Sequence, residues 1–395
     1  MTEQDKLAVN GSVPERRIGY VPEFDGLRGL AAVFVVAVHL FMVVIPEEGQ
    51  LPNEIPGTFV FMDFFFVLSG FLITSLLLRE RSATGSIGLK GFYRRRALRL
   101  LPGLYLLLAI HTIYALILGP PDFPADVQRS TVIHAALYGV NFQMNNLFSP
   151  VARGLTQLWS LGVEEQFYLV WPLLVIVLLP ARRSLRASLG ILVAAIVLVA
   201  THRALLWEPE LAKNTGWLRL YTHTDTRADS LLVGAVLAFL WTRGLVPSRR
   251  TNAVLATLAV PGLVWFLFFV KLYDSFPYLG GFTLMAVLWA FVVLACVESD
   301  WFLLPLLRIR LLRFLGVVSY GIYLWHVPVQ FAVRDHWDDQ HAAIRVLLSL
   351  ILTAVMVTLS WKLVEKPFLR AKDRSGAPST DAAAVSEPDA QASPS

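Results

Sequence analysis

Long apolar runs separated by short charged stretches organise this chain. Hydropathy and the charged interruptions predict membrane-crossing helices near 26–45, 57–78, 102–119, 159–179, 187–206, 226–242, 253–272, 280–297, 314–333 and 343–362. Each is close to the ~20 residues that span a bilayer. The stretch 131–148 breaks the pattern, because His134, Asn141, Gln143, Asn145 and Asn146 are too many polar groups for a lipid-facing helix. Arginine placement decides its status. If 131–148 does not cross, the loops bearing Arg79 to Arg99, Arg182 to Arg186, Arg243 to Arg250 and Arg308 to Arg313 fall on one side, while the opposite loops carry Glu47, Glu48, Glu54, Asp335, Asp338 and Asp339 among few arginines. Cytoplasmic loops carry the excess of Lys and Arg, so the expected fold is an all-α, polytopic bundle of about ten spans with both termini cytoplasmic. The stretch 131–148 is then an external amphipathic or re-entrant segment.

Composition agrees with a membrane protein: 56% of the 395 residues are hydrophobic, 16% are charged, and the mean hydropathy is +0.59. No apolar signal-peptide core precedes the first run, so residues 1–20 read as a cytoplasmic segment that remains in place. Residues 21–370 read as one membrane domain, and 371–395, rich in Pro, Ser, Ala and acids, as a disordered cytoplasmic tail. Cys296 is the single cysteine and lies in an apolar run, which suits packing better than chemistry. No metal-binding spacing is present, and nothing suggests a nucleic-acid partner.

Several polar residues stand where lipid or packed helices should surround them. In FDGLRGLAAVFVVAVHLFMVV, Arg28 and His39 are eleven residues apart. They return to nearly the same helix face and are separated by about 17 Å along the axis. Ionisable side chains at membrane depth mark pathways or reaction sites. GFYRRRALRLLPG supplies Arg94, Arg95, Arg96 and Arg99, guanidinium forks suited to phosphate oxygens. LWSLGVEEQFYLVWP holds Glu164 and Glu165, with Tyr168 one turn past Glu164. TDTRADSLLVGAV carries Asp225, Arg227 and Asp229, where internal pairing of Arg227 with either acid is the plain structural reading. FLGVVSYGIYLWHVPV places Ser319 and His326 on one face, with Tyr320 and Tyr323 nearby; interfacial aromatic belts account for the tyrosines but not for His326.

Taken in order, FDGLRGLAAVFVVAVHL, FMDFFFVLSGFL, FYRRRALRLLP, WSLGVEEQFYL, TRADSLLVG, SYGIYLWH and WKLVEKPF resemble the acyltransferase-3 family of integral-membrane acyltransferases over roughly residues 20–370. The resemblance implies transfer of acetyl or another short acyl group from cytoplasmic acyl-coenzyme A to a hydroxyl of a glycan, glycolipid or glycosylated natural product. It implies a multi-pass protein of a bacterial cytoplasmic membrane. It also implies that Arg28 and His39 are the family's intramembrane pair, and that Arg96 and Arg99 are its donor-handling arginines. Phe61 and Met62 depart from the small residue and Val usual before Asp63. No SGNH-type domain follows the last span, so transfer is expected to be completed by the membrane domain or a separate protein.

These readings combine into one expectation. Arg94, Arg95, Arg96 and Arg99 hold the donor nucleotide, Arg28 handles the donor arm, and His39 removes the acceptor proton. Glu164 or Glu165 orients an imidazole, and Asp63, Tyr168, Asp225, Arg227, Asp229, Ser319, Tyr320 and His326 are acceptor-side candidates. Acetyl-coenzyme A is a substrate here, with no tightly bound cofactor expected. The alternative is a secondary transporter or proton-coupled flippase that uses the same His, Arg and Glu groups as a relay.

Overall fold

A computed structural model describes residues 18–45, 56–118, 124–146, 149–178 and 185–373. The expected N-terminal segment up to residue 17 and the tail beyond 373 lie outside the described residues. Among the described residues the fold is helical, with no strand. Eight helical stretches among the described residues are long and apolar enough to cross a membrane. They include α1 (Pro22–His39, continued by a wide turn over Leu40–Val44), α2 (Val60–Thr84), α3 (Leu89–Ile117), α5 (Leu158–Leu178) and α6 (Leu185–Leu206). The others are α10 (Arg249–Phe269), α11 (Phe282–Glu298, entered through Pro277–Gly281) and α15 (Ala342–Ser360, extended through Trp361–Glu365).

Two more expected spans correspond to α9 (Thr224–Thr242), which follows the short helices α7 (Pro209–Asn214) and α8 (Trp217–Thr222), and α14 (Ser319–His336), which lies beyond the short helix α12 (Leu304–Leu307); both are more polar because they turn ionisable side chains inward. The expected span 314–333 is divided. Phe314 belongs to the short helix α13 (Arg310–Val317), and α14 begins after Val318. The spacing also placed the start of the third span at 102, whereas α3 starts at Leu89, so Arg94 to Arg99 lie on a continuous helix rather than in a loop. Local signals set these ends. Pro22 occupies the first turn of α1, where no backbone donor is lost. Gly85 closes α2 in the left-handed region at φ 74°, and the Ser248 hydroxyl caps α10 through the Thr251 amide at 3.2 Å.

Glycines bring two helix pairs close enough for backbone contact. A Cβ on Gly70 would strike the Leu231 carbonyl, and one on Gly234 the Val67 carbonyl, which locks α2 against α9 side by side and parallel. Likewise Gly26 and Gly29 of α1 face the Leu307 and Leu312 carbonyls, and Gly316 of α13 faces that of Asp25. In lipid no hydrophobic force joins helices, so such close approach supplies the dispersion contact that holds them. The arginine-rich loops gather at one end of the bundle. There Arg308 meets Glu23 at 2.5 Å and Arg249 meets Asp300 at 2.6 Å.

The segment expected not to cross is a dip from the other end. Helix α4 (Ala125–Ala136) has 12 residues, about 18 Å. The chain turns at Tyr138, in the left-handed region at φ 56°, and buries Asn141 against Gln166 of α5 and Thr224 of α9. It then returns until the Ala152 amide bonds the Thr131 hydroxyl at 3.0 Å. Asn141 and Gln166 are thus polar because they satisfy one another where the dip ends, with the Gln166 side chain also donating to the Tyr138 carbonyl at 2.7 Å.

Candidate active site

Helices α1 and α14 bring His39 and His326 together. Their rings stand edge to face with centroids 4.9 Å apart. His39 Nδ1 lies 2.8 Å from the Val35 carbonyl, and His326 Nδ1 lies 2.9 Å from those of Ile322 and Tyr323. A carbonyl only accepts, so each Nδ1 carries the hydrogen and each neutral ring keeps its lone pair on Nε2. His326 is fully buried, and its Nε2 meets no hydrogen-bond partner among the described residues. The wide turn after His39, a form frequent at functional positions, leaves this imidazole at the last regular residue of α1. Gln330, one turn past His326, reaches the Val36 carbonyl at 3.5 Å and ties the two helices just beyond the pair.

From His326 a line of polar groups runs towards the arginine-rich end. Tyr323 is one turn back on α14, its ring 6.2 Å from that of His326. Its hydroxyl meets Ser160 at 2.9 Å and donates to the Gln157 carbonyl. Ser160, Glu164 and Tyr168 follow at four-residue spacing on one face of α5. Tyr168 donates to Glu164 at 3.4 Å, and the Arg96 guanidinium stacks 3.6 Å over the Tyr168 ring. Arg96 also pairs with Glu165 at 2.9 Å. A cavity of about 200 Å³ opens at this cluster, lined by Arg96, Tyr138, Glu165, Gln166 and Tyr168 together with Tyr93.

The remaining predicted residues separate into different places. Glu164 and Glu165 meet Tyr168 and Arg96, not an imidazole. Arg94 and Arg99 are exposed on α3, and Arg95 lies 3.6 Å from Glu80. Arg28 lies 3.5 Å from Asp25, which also accepts from the Tyr20 hydroxyl at 2.7 Å. Burial and the Asp25 carboxylate raise the Tyr20 hydroxyl above its ordinary range, which keeps it a donor. Tyr320 donates to the Leu100 carbonyl at 2.6 Å. Ser319 opens α14 seven residues, about 10 Å, before His326.

The TRADS acids do not pair with Arg227 as the plain reading has it. Arg227 reaches across to Asp63 at 2.6 Å, and Ser230 donates to the other oxygen of that carboxylate. Asp229 takes Arg203 of α6 at 2.9 Å and Thr283 of α11 at 2.6 Å. All four charged side chains are wholly buried, forming a staple between α2, α6, α9 and α11. Asp225 is different: it meets Arg219 at 2.7 Å and His202 at 3.0 Å near the surface. Arg203 stands outside the sequence candidates, although a lone arginine in LVATHRALL is a usable signal. Gln157, Ser160 and the buried Glu365, which accepts from Ser360 at 2.6 Å, were also passed over; single polar residues in apolar runs announce no partner.

Comparisons with known proteins converge on one family. A family model described as an acyltransferase domain matches residues 21–365. The chain is 33% identical to the peptidoglycan O-acetyltransferase OatA of Listeria monocytogenes over 367 residues, 88% of this chain and 56% of that protein. It is 34% identical to the putative peptidoglycan O-acetyltransferase YrhL of Bacillus subtilis over 366 residues, 88% of this chain and 55% of that one. A putative O-acetyltransferase of Staphylococcus aureus is 30% identical over 374 residues, covering 91% of this chain and 59% of the relative. The chain thus spans little more than half the length of the curated relatives it matches. No solved structure matches it. With a multi-pass helical fold, the ordered polar signatures and a model match over nearly the whole described bundle, the chain belongs to the acyltransferase-3 family of membrane acyltransferases.

Proposed function

We propose that this protein transfers an acetyl or similar short acyl group from acyl-coenzyme A to a hydroxyl of a glycan, glycolipid or glycosylated small molecule in a bacterial cytoplasmic membrane. The observation that carries the reading is the imidazole pair, with both Nδ1 hydrogens committed to backbone carbonyls and the His326 Nε2 lone pair unpartnered among the described residues. Such an arrangement offers a basic lone pair to one proton, and an attacking hydroxyl supplies that proton. The hydroxyl oxygen forms a bond to the thioester carbonyl carbon while its proton passes to His39 Nε2. The carbon–sulfur bond then breaks, and the thiolate recovers that proton. His326, fixed edge to face beside His39, stabilises the imidazolium that forms between these steps.

The donor approaches from the arginine-rich end. Its phosphates stay outside the hydrocarbon, where Arg94 and Arg99 are exposed. Arg96, held by Glu165 and Tyr168, frames the 200 Å³ cavity for the uncharged arm, and the line through Tyr168, Glu164, Ser160 and Tyr323 leads to the imidazoles. The names of the relatives support O-acetylation of a glycan. The test is acetyl-coenzyme A turnover by the full chain in proteoliposomes. His39→Ala is expected to lose about 10²–10⁴ of the wild-type rate, the worth of a positioned base. Turnover within a few-fold of wild type would remove His39 from the chemistry.

A further inference from the structure

A second cavity, of about 230 Å³, borders the other half of α3. It lies between α3, α14, α15 and the turn at Arg153–Leu155, on the side of the imidazole pair away from Arg96. Leu107, Val329, Leu352 and Met356 give it apolar walls. One polar group in its lining is built for a ligand. His111 is 7% exposed, and its Nε2 donates to Gln128 Oε1 at 2.9 Å. The neutral ring therefore keeps a lone pair on Nδ1, and no hydrogen bond to Nδ1 forms among the described residues. Trp325 closes another wall, and its buried indole N–H meets no acceptor among the described residues. The next residue is His326, about 100° around the same helix. A site with apolar walls and a hydroxyl acceptor thus adjoins the imidazoles on the side opposite the donor cavity.

We infer that this cavity seats the apolar body of the acceptor, and that the acceptor class is an amphiphilic glycoside: a sugar joined to a hydrocarbon or other apolar group. The inference rests on the acyl-transfer reading above and narrows its acceptor. A bare polymer of sugars would bury hydroxyls without partners against Leu107, Val329, Leu352 and Met356, while Tyr114, Arg153 and Asp335 on the border of the cavity suit the sugar end of an amphiphile. A hydrocarbon body is stabilised there, while a sugar hydroxyl donates to His111 Nδ1 and a neighbouring one is presented to His39. Bilayer lipid has the same tail chemistry, so the test must separate chain capture by this cavity from simple partitioning into the membrane.

The experiment uses the full chain in proteoliposomes with acetyl-coenzyme A and a series of butyl, hexyl and octyl β-glucosides. The wild-type KM is expected to fall with each added methylene, by about fourfold at full burial. Ala332→Phe fills the cavity from α14, and Leu352→Trp fills the same space from α15. Both are expected to flatten the chain-length dependence. The slope is read within each variant, so partial loss of folded protein does not imitate the effect, and either variant suffices if the other fails to fold. Equal slopes in wild type and variants would assign the trend to bilayer partitioning and overturn the inference. A flat wild-type series would overturn it as well. Absence of His39-dependent turnover with every acceptor, free glucose included, would instead sink the acyl-transfer reading and this inference with it.

Discussion

Arg203 and Arg227 are each wholly out of solvent, and each meets one carboxylate within 3 Å. Breaking such a pair from one side costs about 3–5 kcal/mol, because the remaining charge is stranded, whereas an exposed pair is worth about 1 kcal/mol or less. Arg203→Met is therefore expected to collapse thermal stability in detergent by leaving Asp229 unpaired, and Asp225→Asn to change it little. A mild Arg203→Met variant would show that the staple is unimportant to stability. This scale was partly legible in the sequence. The Arg28 and His39 spacing was visible because both lie on one helix. His326 was visible as an anomaly, but its partner was not: His39 is 287 residues away, and no local pattern encodes such a contact. The Asp63–Arg227 pair was hidden for the same reason, since two acids nearer in sequence offered themselves first.

At the level of helices, backbone contact decides which pairs stay together. A Cβ at Gly234 meets the Val67 carbonyl, an atom that cannot swing aside, whereas one at Gly190 meets nothing within 4 Å. Gly234→Ala is expected to separate α2 from α9 and lower the yield of folded protein sharply. Gly190→Ala, in an exposed helix interior, is expected to stabilise by about 0.5–1 kcal/mol. Size-exclusion profiles and thermal midpoints of the two variants check this, and equal behaviour would refute the close-contact account. Helix positions were well read from hydropathy, since most runs need only length and apolarity. The errors have local causes. The division at Val318 falls two residues after Gly316, where a side chain would strike the Asp25 carbonyl, and the early start of α3 reflects arginines that are good helix formers despite their charge.

Across the whole molecule, the imidazoles lie between a polar cavity towards the arginine-rich end and an apolar one towards the other. Sidedness gives this arrangement its meaning, and the dip formed by α4 is the feature on which sidedness turns. In a Cys296→Ser background, single cysteines at Arg129 and Pro150 are expected to react with an impermeant maleimide on intact cells, and one at Ser86 to be protected. Labelling at 129 with protection at 150 would mean that the segment crosses and that every later helix is inverted. Charge bias in the sequence already favoured the dip, but the reason for its polar residues emerged only with Asn141 and Gln166 in contact.

In the proposed reaction His39 and His326 act as one unit on one proton. A double-mutant cycle in acetyl-coenzyme A turnover tests this most directly, using His39→Ala, His326→Ala and the two combined, with each rate normalised to folded protein. Groups that act as a unit are strongly non-additive. Each single variant is expected to lose about 10²–10⁴ in rate, with the double variant no worse than the poorer single one. Losses that multiply, or a His326→Ala enzyme close to wild type, would contradict the paired role and leave His39 to act alone.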